Sequence, residues 1–272
     1  MKSYQTIKLE VEGRVATLTL NRPETLNGLT VDIQQELLDA LAGLQDDRSV
    51  GALVLASAGK AFSAGGDLRQ LTQPRADGRS AHDAAADMMR ELSNPLILAL
   101  QRLPMATVSA VQGAAAGAGA SLALAADLVV AGRSAFFMNP FLPRLGLVPD
   151  LGMTWFLTRG LSRARAMGLM LLGERLPAER AREWGWIWSC VDDDQILPEA
   201  LRLAQQLARG PTGFALEARQ AMAAAYRHAL SEQLDYEVGR QHALLASAAF
   251  HEGAQAFLEK REPDFHANPQ AD

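Results

Sequence analysis

An α/β fold that ends in a run of helices is predicted by three features of the sequence. Residues 52–56 (ALVLA), 107–111 (TVSAV) and 128–131 (LVVA) are apolar runs of strand length without alternation, which suits strands covered on both faces. Segments with apolar residues at helical spacing lie between them, a strand–helix alternation that makes a largely parallel sheet. From about Leu197 the chain turns Ala-rich and helix-forming, and strand patterns cease.

Taken in order, residues 7–11 (IKLEV) and 15–20 (VATLTL) alternate on either side of Glu12-Gly13 and predict a hairpin. After NRPETLNGLT the period changes: Ile33, Leu37, Leu38, Leu41 and Leu44 fall on one helical face, with Thr30 or Asp32 available as a cap. The 52–56 strand leads into GKAFSAGGDLR, and a helix is predicted near 81–102. The 107–111 strand leads into QGAAAGAG, a helix near 119–126 and the 128–131 strand. LPEALRLAQQLARG, the long stretch starting TGFALEARQAM and EGAQAFLEKR then read as C-terminal helices separated by Gly and Pro breaks. The division expected is a core over 1–196 carrying the chemistry and a helical region over 197–272.

Composition narrows the function. A net charge of −5 without a basic cluster argues against nucleic acid as a partner. The single cysteine, Cys190, precludes a disulfide framework, and MKSYQTIKLEVEGR lacks the apolar stretch of a signal peptide, so a cytoplasmic location is expected. Residues 103–126 carry no charge and are long enough to span a membrane, but Pro104, Ser109, Gln112, Ser121 and three glycines make a buried strand and helix the better reading, with no membrane partner.

Several site types lack their motifs. His82, His228, His242, His251 and His266 show no metal-ligand spacing, and no GxSxG elbow occurs. GAAAGAG at 113–119 has neither dinucleotide-fingerprint nor Walker spacing. What remains is a pair of glycine-rich turns of the same layout, FSAGGDL and QGAAAGAGAS, each leaving an apolar strand and entering a helix. Free N–H groups at such a turn can stabilise a developing oxyanion, and two turns provide two donors. Gly65-Gly66-Asp67 also fits a plain turn in which Asp67 caps the next helix.

NRPETLNGL, GKAFSAGGDL, VQGAAAGAGASLALAADLVVA, RLGLVPDLGMTWFL and EGAQAFLEKREPDF together resemble the enoyl-CoA hydratase/isomerase, or crotonase, family over about residues 5–265. The resemblance implies a spiral of ββα units with a helical trimerisation region, assembled as a homotrimer or a dimer of trimers. It also implies an acyl-CoA substrate with no metal or redox cofactor, coenzyme A being part of the substrate, and a thioester enolate held by two backbone amides. By this resemblance the donors are the N–H groups of Gly66 and Ala118, with Gly117 beside the latter. Ala64, Asp67 and Leu68 would line the adenine and pantetheine path with Arg22 and Leu26 nearby, and Phe257 and Lys260 would reach a neighbouring subunit's coenzyme A, an ordinary amphipathic helix end being their alternative reading. Glu24 stands where many members carry a lysine, which removes one phosphate contact.

The two glutamates with which hydratases of the family split water are also missing: Ser121 occupies the first position and Phe141 the second. A replacement is available in Asp150 of RLGLVPDLGM, which the resemblance places as the single acid of the isomerases; a helix cap is its alternative role. One carboxylate facing an enolate can move a proton between carbons without consuming water. Residues 163–194 further resemble the 1,2-epoxyphenylacetyl-CoA isomerases of bacterial phenylacetate breakdown. An acyl-CoA isomerase is therefore expected, with a hydratase using Asp150 alone or a non-catalytic coenzyme A-binding homologue as alternatives. Met138 and Phe141 would shape a dry acyl pocket, Phe137 and Phe141 suggest an apolar or aromatic acyl end, and Trp184, Trp186 and Trp188 read as packing residues.

Overall fold

The computed structural model of the chain describes residues 2–72, 78 and 80–266. The expected hairpin forms from β1 (Ile7–Glu12) and β2 (Val15–Leu20), antiparallel about Gly13. Thr30 caps α1 (Val31–Gln45), its hydroxyl accepting the Ile33 N–H, and the helix buries Ile33, Leu37, Leu41 and Leu44. β3 (Ala52–Ser57) is buried along its whole length and is followed by α2 (Leu68–Thr72), α3 (Ala81–Met88) and α4 (Asn94–Arg102).

The single helix expected near 81–102 is thus interrupted, by a π-helical turn over Met89–Ser93. Pro95 gives the physical reason: it has no N–H for the carbonyl four residues back, so the regular ladder cannot run through. Ser93 in the widened turn donates to Gln34 of α1 at 2.6 Å.

The chain continues through β4 (Ala106–Val111), β5 (Ala114–Ala116), α5 (Ala118–Leu124), β6 (Leu128–Gly132) and β7 (Phe136–Met138). A second π-helical turn covers Phe141–Leu145. There follow α6 (Met153–Gly160), α7 (Arg163–Leu172), β8 (Arg175–Pro177), α8 (Ala178–Glu183) and β9 (Ser189–Val191). The C-terminal helices are α9 (Ile196–Leu207), α10 (Phe214–Ala225), α11 (Leu230–Leu245) and α12 (Ala248–Glu259).

Six strands make one sheet in the order β1-β2-β3-β4-β6-β9, parallel except for the first hairpin. A small second sheet, β5-β7-β8, begins within QGAAAGAG, whose three consecutive alanines form β5. Both faces of the main sheet are covered, which is why its strands lack alternation. Ala16, Leu18, Leu20, Leu53 and Leu55 pack towards the core that holds α1 and α4. Val15, Val54, Val108, Ala110 and Val130 pack against Ile196, Ala200, Leu203 and Ala204 of α9. By this packing, α9 covers one face of the main sheet.

α10 is tied to this core through one charged contact. Arg219 forms a two-pronged pair with Asp127 at 2.6 and 2.7 Å and donates to the carbonyls of Leu103 and Met105, while Asp127 accepts from the Thr107 N–H and hydroxyl. The part-buried guanidinium fork is thereby shared between a carboxylate and carbonyls at the end of α4 and ahead of β4, the geometry that makes such a charge tolerable. The uncharged stretch 103–126 resolves into β4, β5 and α5, and among the described residues no helix is long and apolar enough to cross a membrane. Trp184 and Trp186 pack on the core as expected, whereas Trp188 is 59% exposed.

Candidate active site

The two glycine-rich turns interlock. Ser63 donates its N–H to the Ala114 carbonyl at 3.1 Å and accepts from the Ala116 N–H at 3.0 Å, a strand-like bridge that joins the turns. A Cβ on Gly65 would lie 2.6 Å from the Ala116 carbonyl oxygen and 3.2 Å from the Ala118 nitrogen, and one on Gly119 would lie 2.5 Å from the Ser63 carbonyl oxygen. These two glycines therefore serve the approach of one backbone to the other, and Gly65, with φ +93°, also supplies the turn.

Gly66 is different. It is exposed, its φ is outside the positive region, and its N–H has no partner among the described residues. The Ala118 N–H, the first of α5, is likewise without a partner among them. Gly117, the preceding cap with φ +53°, donates to the Met138 carbonyl at 2.9 Å, which ties the helix start to β7. Two unpaired amides thus come from two turns locked together by Ser63, Gly65 and Gly119.

The front of the site is organised by Asn27, a residue that sequence reasoning did not single out. Leu26 and Asn27 both have φ +53°, and the buried Asn27 side chain donates to the carbonyls of Ala58 and Ala61 and accepts from the Arg22 N–H. Ser63 donates its hydroxyl to the Asn27 carbonyl at 2.7 Å, and the Ala64 N–H donates to Leu26. Arg22, Leu26 and Ala64 are thereby gathered at one rim. The signal was present as LNG, since Asn tolerates left-handed backbone and bonds to nearby main chain. The Arg22 guanidinium lies 3.5 Å from Glu24 and donates to Thr30. Asp67 accepts from the Arg69 N–H at 2.9 Å, so its carboxylate does serve the turn ahead of α2, and Leu68 stands exposed beside it.

The back of the site is apolar. A Cβ on Gly117 would meet the buried Phe141 ring at 3.5 Å, so this ring stands over the helix start that carries Ala118. Met138 is half-buried on the adjoining strand. Phe137, expected at the acyl end, points the other way: strand alternation turns it into the core, edge-on to Trp186 with ring centroids 5.6 Å apart.

Asp150 enters from the loop before α6. Burial pushes its carboxyl up to about 6, and Oδ1 is buried with no partner among the described residues. The capping alternative fails on geometry, since α6 is capped by Gly152 at φ +77° and the Asp150 side chain makes no capping bond. Its carbonyl accepts the Ser121 hydroxyl at 3.0 Å, which puts it beside α5, one turn beyond Ala118. Two free amides and one desolvated carboxylate are the parts needed to form an enolate and shuttle its proton.

Phe257 and Lys260 are not brought to this site within one chain. α12 packs on α11, Phe257 is 83% exposed, and Lys260 ends the helix at φ +56° with no side-chain hydrogen bond or ion pair among the described residues. No group of three His, Cys, Asp or Glu side chains that could hold a metal occurs among the described residues.

Comparison with known proteins gives the chain a family. Residues 10–268 match the family model described as enoyl-CoA hydratase/isomerase. The chain is 44% identical to 1,2-epoxyphenylacetyl-CoA isomerase of Escherichia coli (strain K12), over 94% of this chain and 96% of that protein. It is 42% identical to a probable enoyl-CoA hydratase of Rhodobacter capsulatus, over 97% of this chain and 98% of that one. The crystal structure of an enoyl-CoA hydratase from Polaromonas sp. JS666 superposes with a TM-score of 0.88 at 35% identity, covering 94% of this chain and 98% of the other. With its α/β sheet, helical C-terminal region and matched length, the chain belongs to the enoyl-CoA hydratase/isomerase family and has the crotonase fold.

Proposed function

We propose that the protein is an acyl-CoA isomerase acting on an unsaturated or epoxidised thioester. One observation carries the reading: the half-buried Asp150 lies beside α5 with its Oδ1 buried and without a partner among the described residues, while Ser121 and Phe141 stand at the positions that the family resemblance assigns to the hydratase glutamates. With a 3-enoyl thioester, the Asp150 carboxylate takes a proton from C2 and the electron pair moves onto the thioester oxygen. The Gly66 and Ala118 N–H groups hold that oxygen. The protonated carboxyl then returns the proton at C4, leaving a 2-enoyl thioester with no water consumed. Phe141 and Met138 keep the carbon chain dry, which favours proton return over hydration. Coenzyme A enters only as part of the substrate, and no further cofactor is needed for this chemistry.

A base with its pKa raised by burial sets the pH dependence. Asp150 must be ionised to take the first proton, so kcat/KM rises with pH through about 6. At pH 5 such a base is ionised to roughly one part in ten, and kcat/KM is expected to fall about tenfold from its plateau. A profile of kcat/KM that stays flat from pH 7 to pH 5 would contradict a base at Asp150.

Assembly as a homotrimer or a dimer of trimers accompanies this reading. Leu230, Leu234, Val238, Phe257 and Leu258 leave α11 and α12 with exposed apolar side chains that a second copy would cover. Lys260 would then meet phosphate on a neighbouring chain. Lys260→Ala is expected to weaken coenzyme A binding several-fold in a titration, and unchanged affinity would leave Lys260 a surface charge.

A further inference from the structure

Among the described residues the Asp150 carboxyl meets only its own backbone N–H, and Oδ1 has no partner, so the position of the acid is set by its backbone. That backbone is unusual. Leu151 follows at φ +48° and Gly152 at φ +77°, two successive left-handed residues of which the first is a buried leucine, a side chain that disfavours this region. Two donors converge on the Asp150 carbonyl. One is the Met153 N–H at 3.0 Å, which belongs to the same turn; the other is the Ser121 hydroxyl at 3.0 Å, which comes from α5. Ser121 is fully buried and lies three residues beyond Ala118, on the same short helix.

We infer that Ser121 is a positioning residue for Asp150, its hydroxyl fixing the loop that carries the acid to the helix that carries the Ala118 amide. The inference rests on the proposed role of Asp150 as the base. A glutamate at 121 would itself offer a carboxylate; a serine there uses the same helical position to hold a carboxylate supplied from another segment. Because α5 bears both contacts, any movement of the oxyanion donor carries the base with it, and the distance between the two reacting ends of the enolate system is kept constant. Proton shuttling between two carbons is sensitive to such placement, since a misplacement of about 1 Å can cost on the order of 10²-fold.

Ser121→Ala removes the tie without opening a large void and leaves the carbonyl bonded to Met153, so the fold is retained. Ser121→Ala is expected to lower kcat for isomerisation about 10- to 100-fold with KM within about twofold and a melting temperature within a few degrees of the parent. Ser121→Cys, of similar volume and weak as a donor, is expected to lose kcat in the same sense. The decisive arm is a double-mutant cycle: added to Asp150→Asn, Ser121→Ala should cause no further loss, because its effect passes through the acid. Parent-like kcat in both Ser121 variants, or a full additional loss in the Asp150→Asn background, would overturn the positioning role. An Asp150→Asn enzyme as active as the parent would instead overturn the assignment of the base.

Discussion

Asp150→Asn is expected to lower isomerase turnover by about 10²- to 10⁴-fold with little loss of acyl-CoA affinity, because the base is removed while the Gly66 and Ala118 amides are untouched. The same substitution should stabilise the protein at alkaline pH. The folded-state pKa of Asp150 is raised from 3.8 to about 6, so between these values the folded chain binds more protons than the unfolded one. Stability is therefore greatest below this window and is lost as pH rises through it. A rise of about two units corresponds to on the order of 3 kcal/mol of penalty for the ionised carboxylate above pH 6, which asparagine does not bear. Thermal melts should show Asp150→Asn more stable than the parent at pH 8, with the advantage gone near pH 4. Turnover within a few-fold of the parent would remove Asp150 from the mechanism, whatever the melts show.

Gly66→Val is expected to abolish turnover, by about 10³-fold or more, in a protein that still folds. The substitution is tolerable to the backbone because Gly66 is exposed and has no positive φ, in contrast to Gly65, whose Cβ would run into the Ala116 carbonyl. Its effect falls on the ligand: a branched side chain beside the free Gly66 N–H crowds the place where the thioester oxygen would sit. Circular dichroism checks the fold and single-turnover kinetics the chemistry. A folded Gly66→Val enzyme with parent-like turnover would reduce SAGGD to a turn.

Much of the architecture was legible because periodicity is local. The hairpin, α1 and the strands β3, β4 and β6 follow from runs of apolar residues that must be buried on one or both faces. The four three-residue strands β5, β7, β8 and β9 are too short to leave a period, and the π-helical turns keep helical spacing in the sequence while changing the ladder. The glycines showed that backbones approach closely, but not what approaches: for Gly65 and Gly119 it is the other turn, while the Gly66 and Ala118 amides have no partner among the described residues. Phe137 was misplaced because one position of shift in a strand exchanges pocket for core. Asn27 and the Ser121 contact to Asp150 join segments distant in sequence, and nothing in either segment alone encodes the pairing. Phe257 and Lys260 stand apart from the candidate site within one chain, and a role for them there belongs to the proposed assembly.

Product analysis tests the central claim, that one carboxylate moves a proton without adding water. Purified protein is given a 3-enoyl-CoA, crotonyl-CoA and an epoxidised arylacetyl-CoA in parallel, and the thioesters are followed by mass and by the absorbance of the conjugated 2-enoyl group. The expected result is a shifted double bond or an expanded ring at unchanged mass, lost in Asp150→Asn, with hydration of crotonyl-CoA slower than isomerisation. A 3-hydroxyacyl-CoA, heavier by one water and formed from crotonyl-CoA faster than any substrate is isomerised, would contradict it.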